Sequence, residues 1–499
     1  MLGRATSWAQ RMLRTPGEFV TEAEERLVRK LDLMICPIFF LINFASILDR
    51  SNIGNAKIQG MDEDLGLNIG NRYNIVLVIF FVPYILLEVP SNIIVKHVRP
   101  SYYLSGLIFF WGSSCLSKSR SKNRMSNKIL RVAHFVGIVV MCEGFVESYH
   151  ALIGLRFLLG ALEAGIFPGI AYVTSMYYKR FEYQRRLTII WTSVILSNAF
   201  GGLLAYAIAH LDGHFGYAAW RWIFIIEGAV TAFFGTIAVF WIPDWPEQNK
   251  YLSLADREMI RQRLLADQPA DEEEEIDLHK LGAIVLDWKI WISAFNAFGG
   301  IVTAYSMTLF LPTILNEFGW NPVEVQLHTI PVWAVAFVVA VMVSWLSDRL
   351  QHRSLFILAL SIPPTVGYAI LLRQELFSRR TQYAATFLVV LGTPTTPIVF
   401  AWLLNNLRGH WHRAVGSALI NSIGNCGGVV ASNIYIAREA PRYHAGYGTA
   451  LACIWLTGVG AVGMAAAMYR SNRARDRVEQ NGLPEDRSDS SGPTHRYTL

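Results

Sequence analysis

Seven ionisable residues lie inside apolar runs of this sequence: Asp49, Arg50, Glu88, Glu143, Arg156, Glu163 and Glu227. Charge placed within a lipid bilayer is costly, so each is a candidate for function. Arg156 and Glu163 stand seven apart in "RFLLGALEAG". Two helical turns put them on one face, roughly 10 Å apart along the axis, with Gly160 between them to admit a neighbouring helix. Two readings stay open. The pair either ties helices together through the charges of Asp49 and Arg50, or it does chemistry. A carboxylate in a low-dielectric site takes up a proton near neutral pH, and a guanidinium grips a carboxylate with two prongs. Asn421 and Asn425, in "INSIGNCGG", are four apart on one face, set to donate to a ligand or to a neighbouring helix. Glu88, just before Pro90, is expected to cap a loop at the cytoplasmic end, and Glu227, after "WRW", to pair with a loop cation.

The elements that hold these residues follow from composition. The chain has 499 residues, 53% hydrophobic, 13% aromatic and 16% charged, against about a quarter charged in soluble proteins. Apolar runs of bilayer-spanning length recur from end to end, which makes this an all-α polytopic membrane protein. Twelve spans are predicted, six in 31–242 and six in 289–469. A polar stretch at 243–288 joins them, helical around 253–266 and acidic at 271–275. Residues 1–30 form an arm and 470–499 a disordered tail. Two six-span halves with the site between them are a common plan for secondary transporters. Lys and Arg concentrate in the arm, the tail and alternate loops, placing both termini in the cytoplasm. Loops with Arg373, Arg379 and Arg380, and with Arg438 and Arg442, run against that bias. Trp111, Trp220, Trp222, Trp241 and Trp245 read as an interfacial belt. The five cysteines show no disulfide or metal spacing, the net charge of +6 belongs to cytoplasmic loops rather than a nucleic-acid surface, and no nucleotide-binding or hydrolase motif is present.

One stretch fits no element. Between "YYLSGLIFFWG" and "IVVMCEGFV", each too short to span, lies a basic segment at 113–137. Joined directly, the two flanks make one complete span, so the segment reads as an insertion into a finished third helix. The alternative is a long cytoplasmic loop before a replacement span at about 129–147.

The stretches "LDRSNIGNAKIQGM", "FFVPYILLEVPSNIIVKHVRPS", "GLRFLLGALEAGIFPG", "WRWIFIIEG" and "SNIYIAREAPRYHAGY" resemble the fungal allantoate-permease-like branch of the major facilitator superfamily. That branch lies among the anion:cation symporters, alongside nicotinate and pantothenate permeases. The resemblance covers about 30–470 apart from 113–137, and in related sequences the counterpart of "FFWG" continues straight into that of "IVVMCEG". It implies twelve helices in two bundles, alternating access, and proton-coupled uptake of a small organic anion at the plasma membrane by a monomer without a cofactor. It also implies that Asp49 and Glu163 carry protons and that Arg50 and Arg156 contact the anion. The superfamily's cytoplasmic gating signature is matched by "SWLSDRLQHR" through Asp348, Arg349 and Arg353. Its first-half counterpart, "SNIIVKHVRP", keeps Lys96 and Arg99 but has Val95 where the acid belongs. A nutrient sensor on a transporter scaffold, or a chain inactivated by 113–137, are the competing expectations.

Overall fold

The structure is a computed structural model that describes residues 21–97, 135–267, 282, 284–350, 352–407 and 410–480. Of the expected segment 113–137, residues 113–134 lie outside these residues, as do the acidic run 271–275 and Arg99, while 135–137 form the start of a helix. Of Lys96 and Asp348 only the helical backbone is described.

The first half comprises α1 (Glu22–Ala56), α2 (Arg72–His97), α3 (Phe135–Glu143), α4 (Tyr149–Glu163), α5 (Ile166–Ser175), α6 (Arg180–Ala209) and α7 (Ala219–Trp241). A linker helix, α8 (Leu254–Asp267), leads to the second half. That half comprises α9 (Trp288–Glu317), α10 (Pro322–Leu350), α11 (Arg353–Leu372), α12 (Arg379–Val390), α13 (Thr395–Asn406), α14 (His410–Ile434) and α15 (His444–Gln480). The α4–α5 and α12–α13 pairs are each one span interrupted by a short break, so this order fills the two six-span halves. Among the described residues, α3 alone stands for the third span. Eight helices of those residues are long and apolar enough to cross a membrane.

Local sequence sets the boundaries. Thr21 opens α1 by accepting from the Glu24 amide, and acids fill the first turn at Glu22, Glu24 and Glu25, where they complement the helix dipole. Ser148 and Ser378 cap α4 and α12 in the same way. After Ala56 the chain widens into one π-helical turn at Lys57–Met61, and Gly60 (φ +102°) provides the reversal that a side chain resists. The twelfth helix, expected over 446–468, continues as far as Gln480, so the tail starts later than its composition suggests. Trp220 also departs from expectation. It is fully buried and donates from Nε1 to Asp64 Oδ2 at 2.7 Å, so it is a core residue rather than part of an interfacial belt.

The two halves meet chiefly along three helix pairs, α1 with α9, α2 with α14, and α6 with α10, and α13 also touches α6. At the end away from α8 they are sealed. Asn74 of α2 donates to the carbonyls of Ser432 (2.6 Å) and Tyr435 (3.2 Å), within and just beyond the α14 terminus, and Gln326 of α10 donates to Asn55 O at 3.4 Å. Glycine makes the approach possible: a Cβ on Gly54 would fall 2.7 Å from the Leu309 carbonyl oxygen, and one on Gly202 would collide with Thr329 Oγ1. Within the first half, a Cβ on Gly160 would strike the Phe80 carbonyl, so the glycine between Arg156 and Glu163 brings α4 against α2.

At the opposite end α8 is fastened to the first half. Ile260 and Leu252 pack with Leu27 and Leu31 of α1. Arg263 donates to Glu24 Oε1 and Glu182 Oε1, both at 2.6 Å, and is 6% exposed. Lys179 adds a second cation to Glu24, at 2.7 Å. Nearer the surface, the Lys30 ammonium donates to Asp256 at 2.8 Å and holds that carboxyl below the usual range. A carboxyl depressed in the folded state contributes fully above its unfolded pKa and loses the contribution as pH falls through the folded value. Replacing a buried guanidinium that serves two carboxylates leaves uncompensated charge, so Arg263→Ala is expected to cost about 3 kcal/mol. Thermal unfolding of the purified full chain will show it, and a melting temperature equal to the parent's contradicts the arrangement.

Candidate charged site between the halves

Helix geometry brings the predicted pair together across α1 and α4. Arg50 Nε donates to Glu163 Oε2 at 2.7 Å, with Ser46, one turn earlier on α1, donating to the same oxygen at 2.9 Å. Glu163 is wholly buried and Arg50 is 6% exposed. The guanidinium also lies over the rings of Phe80 (4.9 Å) and Tyr84 (4.5 Å) on α2. These aromatic faces attract a cation. Its Nη1 reaches across to the second half and donates to Tyr305 OH of α9 at 2.8 Å. Arg50 thus belongs to the first half but is read by both.

Arg156 does not meet Glu163 directly. Its Nη2 lies 2.9 Å from Glu143 Oε2 of α3, an ion pair by distance without hydrogen-bond angles. The Phe224 ring lies 5.7 Å from its guanidinium. Arg156 nevertheless acts on Glu163 electrostatically. Asp49 points toward α7, where Thr231 Oγ1 donates to its Oδ1 at 3.1 Å, while its Oδ2 has no hydrogen-bond partner. Asp49 feels the charges of Glu163, Glu227 and Glu143. Glu227, expected to pair with a loop cation, is buried in this group with neither oxygen hydrogen-bonded. The first half therefore seals in four carboxylates (Asp49, Glu143, Glu163 and Glu227) with two guanidiniums (Arg50 and Arg156).

Asn421 and Asn425 resolve toward the neighbouring-helix alternative. Both amides donate to Glu88 of α2, Asn421 to Oε1 and Asn425 to Oε2 at 3.5 Å. Glu88 is wholly buried at this crossing of α2 and α14, so it is not the loop cap that its position before Pro90 suggested. Of the expected gating residues, Arg349 and Arg353 flank the α10–α11 turn at the linker end, apart from this cluster. Arg349 lies over the Trp345 ring at 5.4 Å, and Arg353 is buried at the start of α11.

Every charged residue named from sequence at mid-depth falls in this region. The residues missed are neutral: Ser46, Phe80, Tyr84, Thr231 and Tyr305. Hydroxyls and rings are common in any span, and nothing in their spacing marks these as partners of Arg50 or Asp49. Only the register between helices does. A separate shallow recess between α5, α6 and α13 is lined by Phe167, Leu187, Thr188, Trp191, Pro397, Phe400, Ala401 and Leu404. It holds none of the charged groups. No group of three or more potential metal ligands occurs among the described residues.

Residues 39–464 match the Major Facilitator Superfamily. An uncharacterised transporter of Schizosaccharomyces pombe is 33% identical over 442 residues, covering 88% of this chain and 83% of the relative. The high-affinity nicotinic acid transporter of Saccharomyces cerevisiae is 29% identical over 430 residues, covering 86% of this chain and 75% of that protein. Among solved structures, a bacterial homologue of the human lysosomal transporter Spinster, inward-facing and unoccupied, superposes with a TM-score of 0.58 at 14% identity. That match covers 87% of this chain and 95% of the other. Two six-helix halves, charges gathered where they meet and relatives named as transporters converge on one assignment: the chain is a transporter-type protein, not an enzyme, and belongs to the major facilitator superfamily.

Proposed function

We propose that the protein imports a small organic anion together with protons by alternating access, in the plasma membrane with the linker end and both termini cytoplasmic. The observation that carries this reading is the Arg50–Glu163 pair, a buried guanidinium held by one carboxylate of its own half and one phenol of the other. Likeness to a nicotinic acid transporter supports a carboxylate as cargo. On this reading the sealed far end is the extracellular side, and the molecule acts as a monomer.

The proton follows from charge balance. The cluster holds two more carboxylates than guanidiniums, and uncompensated charge in a low-dielectric interior is costly. Protons supply the compensation. Asp49 Oδ2 and Glu163 Oε1 receive no hydrogen bond, and these oxygens are where we place them. A proton on Glu163 weakens its hold on Arg50, whose planar fork then accepts the substrate carboxylate. Arg156, paired with Glu143, supplies the second positive charge. Lys96, Arg99, Asp348, Arg349 and Arg353 would then latch the cytoplasmic end while the halves rock about the junction.

Uptake of labelled nicotinate, allantoate and pantothenate by permease-deficient yeast expressing the full chain tests the reading. An inward proton gradient should drive accumulation of one of them. Glu163→Gln, which cannot take up and release a proton, should abolish accumulation against a gradient while exchange of labelled for unlabelled substrate continues. Undiminished accumulation in that variant would remove Glu163 from the coupling scheme.

A chain lacking 113–137 has an uninterrupted third span, so it should reach the plasma membrane more completely than the full chain and take up more substrate. Equal surface delivery and uptake would instead assign that segment to an accommodated loop.

A further inference from the structure

The last helix, α15, has one face packed against the protein and one turned away from it. Thr457, Met464 and Met468 are buried. Trp455, Val459, Val462, Ala466 and Tyr469 are exposed at spacings of three and four, which places them on a single stripe. In a membrane-spanning helix that stripe faces lipid. The helix does not stop where the apolar stripe does. It runs on to Gln480, and the same stripe continues with Arg470, Arg473 and Arg477, all exposed. None of the three makes an ion pair among the described residues. Asp476, the one acid within 470–477, is engaged with other groups of the protein, as is Arg475.

The depth of this row is set by α9, which runs antiparallel to α15. Ser293 Oγ lies 3.4 Å from Met464 Sδ, so the start of α9 stands beside the end of the apolar stripe. Trp288 and Trp291 are exposed there, and the Trp291 indole donates to Val285 O at 2.7 Å. Exposed tryptophans of this kind mark the boundary between hydrocarbon and headgroups. By helical rise, Trp288 and Arg470 both stand about 8–9 Å beyond the Ser293–Met464 contact, and Arg477 about 10 Å further out. The headgroup layer is roughly 5–8 Å deep. Three guanidiniums on long stems therefore span it from its inner edge to its outer edge.

Two general effects account for part of the row. Basic residues beside a span set its orientation, which explains the sign of the charge but not its confinement to one face. A cation complements the helix dipole within the last turn, which serves Arg477 but not Arg470, ten residues before the end. A ligand at headgroup depth explains all three.

We infer that Arg470, Arg473 and Arg477 form a binding site, on the lipid-facing side of α15, for the phosphate headgroups of anionic phospholipids. A guanidinium grips a phosphate through two parallel N–H groups, and each basic residue at an anionic surface strengthens association by about fivefold. Phosphatidylcholine carries the same phosphate with its charge offset by choline, so the site selects lipids by net charge. The inference stands apart from the identity of the cargo and from proton coupling.

Native mass spectrometry of the purified full chain, titrated in micelles with phosphatidylserine or phosphatidylcholine, reads the lipid affinities directly. The parent should bind phosphatidylserine in preference. Arg470→Gln, Arg473→Gln and Arg477→Gln together should weaken that binding by about tenfold or more, whereas lysine at the same three positions should retain most of it. Arg473→Gln with Arg477→Gln, which leaves the boundary arginine in place, should weaken it several-fold and serves if the triple variant fails to fold. Inorganic phosphate at the concentration of the lipid should not displace it. Displacement would reassign the row to a soluble anion and overturn the inference. A parent that does not distinguish the two lipids, glutamine variants that bind phosphatidylserine as tightly as the parent, or equal losses with glutamine and lysine overturn it as well.

Discussion

The contact between Arg50 and Glu163 governs the architecture around it. A guanidinium and a carboxylate removed from water cost several kcal/mol each unless they meet with good geometry and their remaining valences are met. Here Ser46 supports the acid, the Phe80 and Tyr84 rings receive the face of the cation, and Tyr305 takes one of its outward N–H groups. Those demands fix α1, α2, α4 and α9 relative to one another. Gly160 is required because α2 must come close enough for its rings to reach Arg50, and the approach leaves no room for a side chain.

The remaining junctions have different characters. The far end is closed by donors to main-chain carbonyls and by glycines against backbone or hydroxyl, contacts that carry no net charge and can part without stranding an ion. The linker end of the first half is bound by multiple ion pairs around Arg263, Glu24, Lys179 and Glu182. That network makes α8 a fixed part of the first half rather than a loose connector. Rocking of one half against the other is thus favoured at the neutral seam, and the first half with its linker helix behaves as one body.

Much of this could be read from residues alone, for a physical reason. An acid or arginine in a membrane span is so costly that its presence carries information, and Asp49, Arg50, Arg156 and Glu163 were all identified on that ground. The division into two six-span halves and the helix over 254–267 follow from hydropathy and periodicity. Partnership was harder to see. Nothing local distinguishes Tyr305 from any other tyrosine, and the meeting of Glu88 with Asn421 and Asn425 depends on the register of helices more than 330 positions apart in sequence. Trp220 misled because a "WRW" cluster at a helix start has the composition of an interfacial belt, although burial of the indole depends on the acceptor that Asp64 offers from the helical turn between α1 and α2. Glu227 misled in the same way, since a lone acid near loop arginines invites a pairing that the fold does not make.

One feature of the charge distribution reaches beyond binding. Among the described residues, the mid-depth ions all belong to the first half, while the second half meets them with hydroxyls and amides. Moving one elementary charge through the full membrane potential involves about 2.3 kcal/mol per 100 mV. When the halves tilt, only one of them carries ions through that field. On the proposed proton-coupled reading, the voltage dependence of turnover would arise from the motion of a single lobe and its bound protons, with its partner an electrically silent lever.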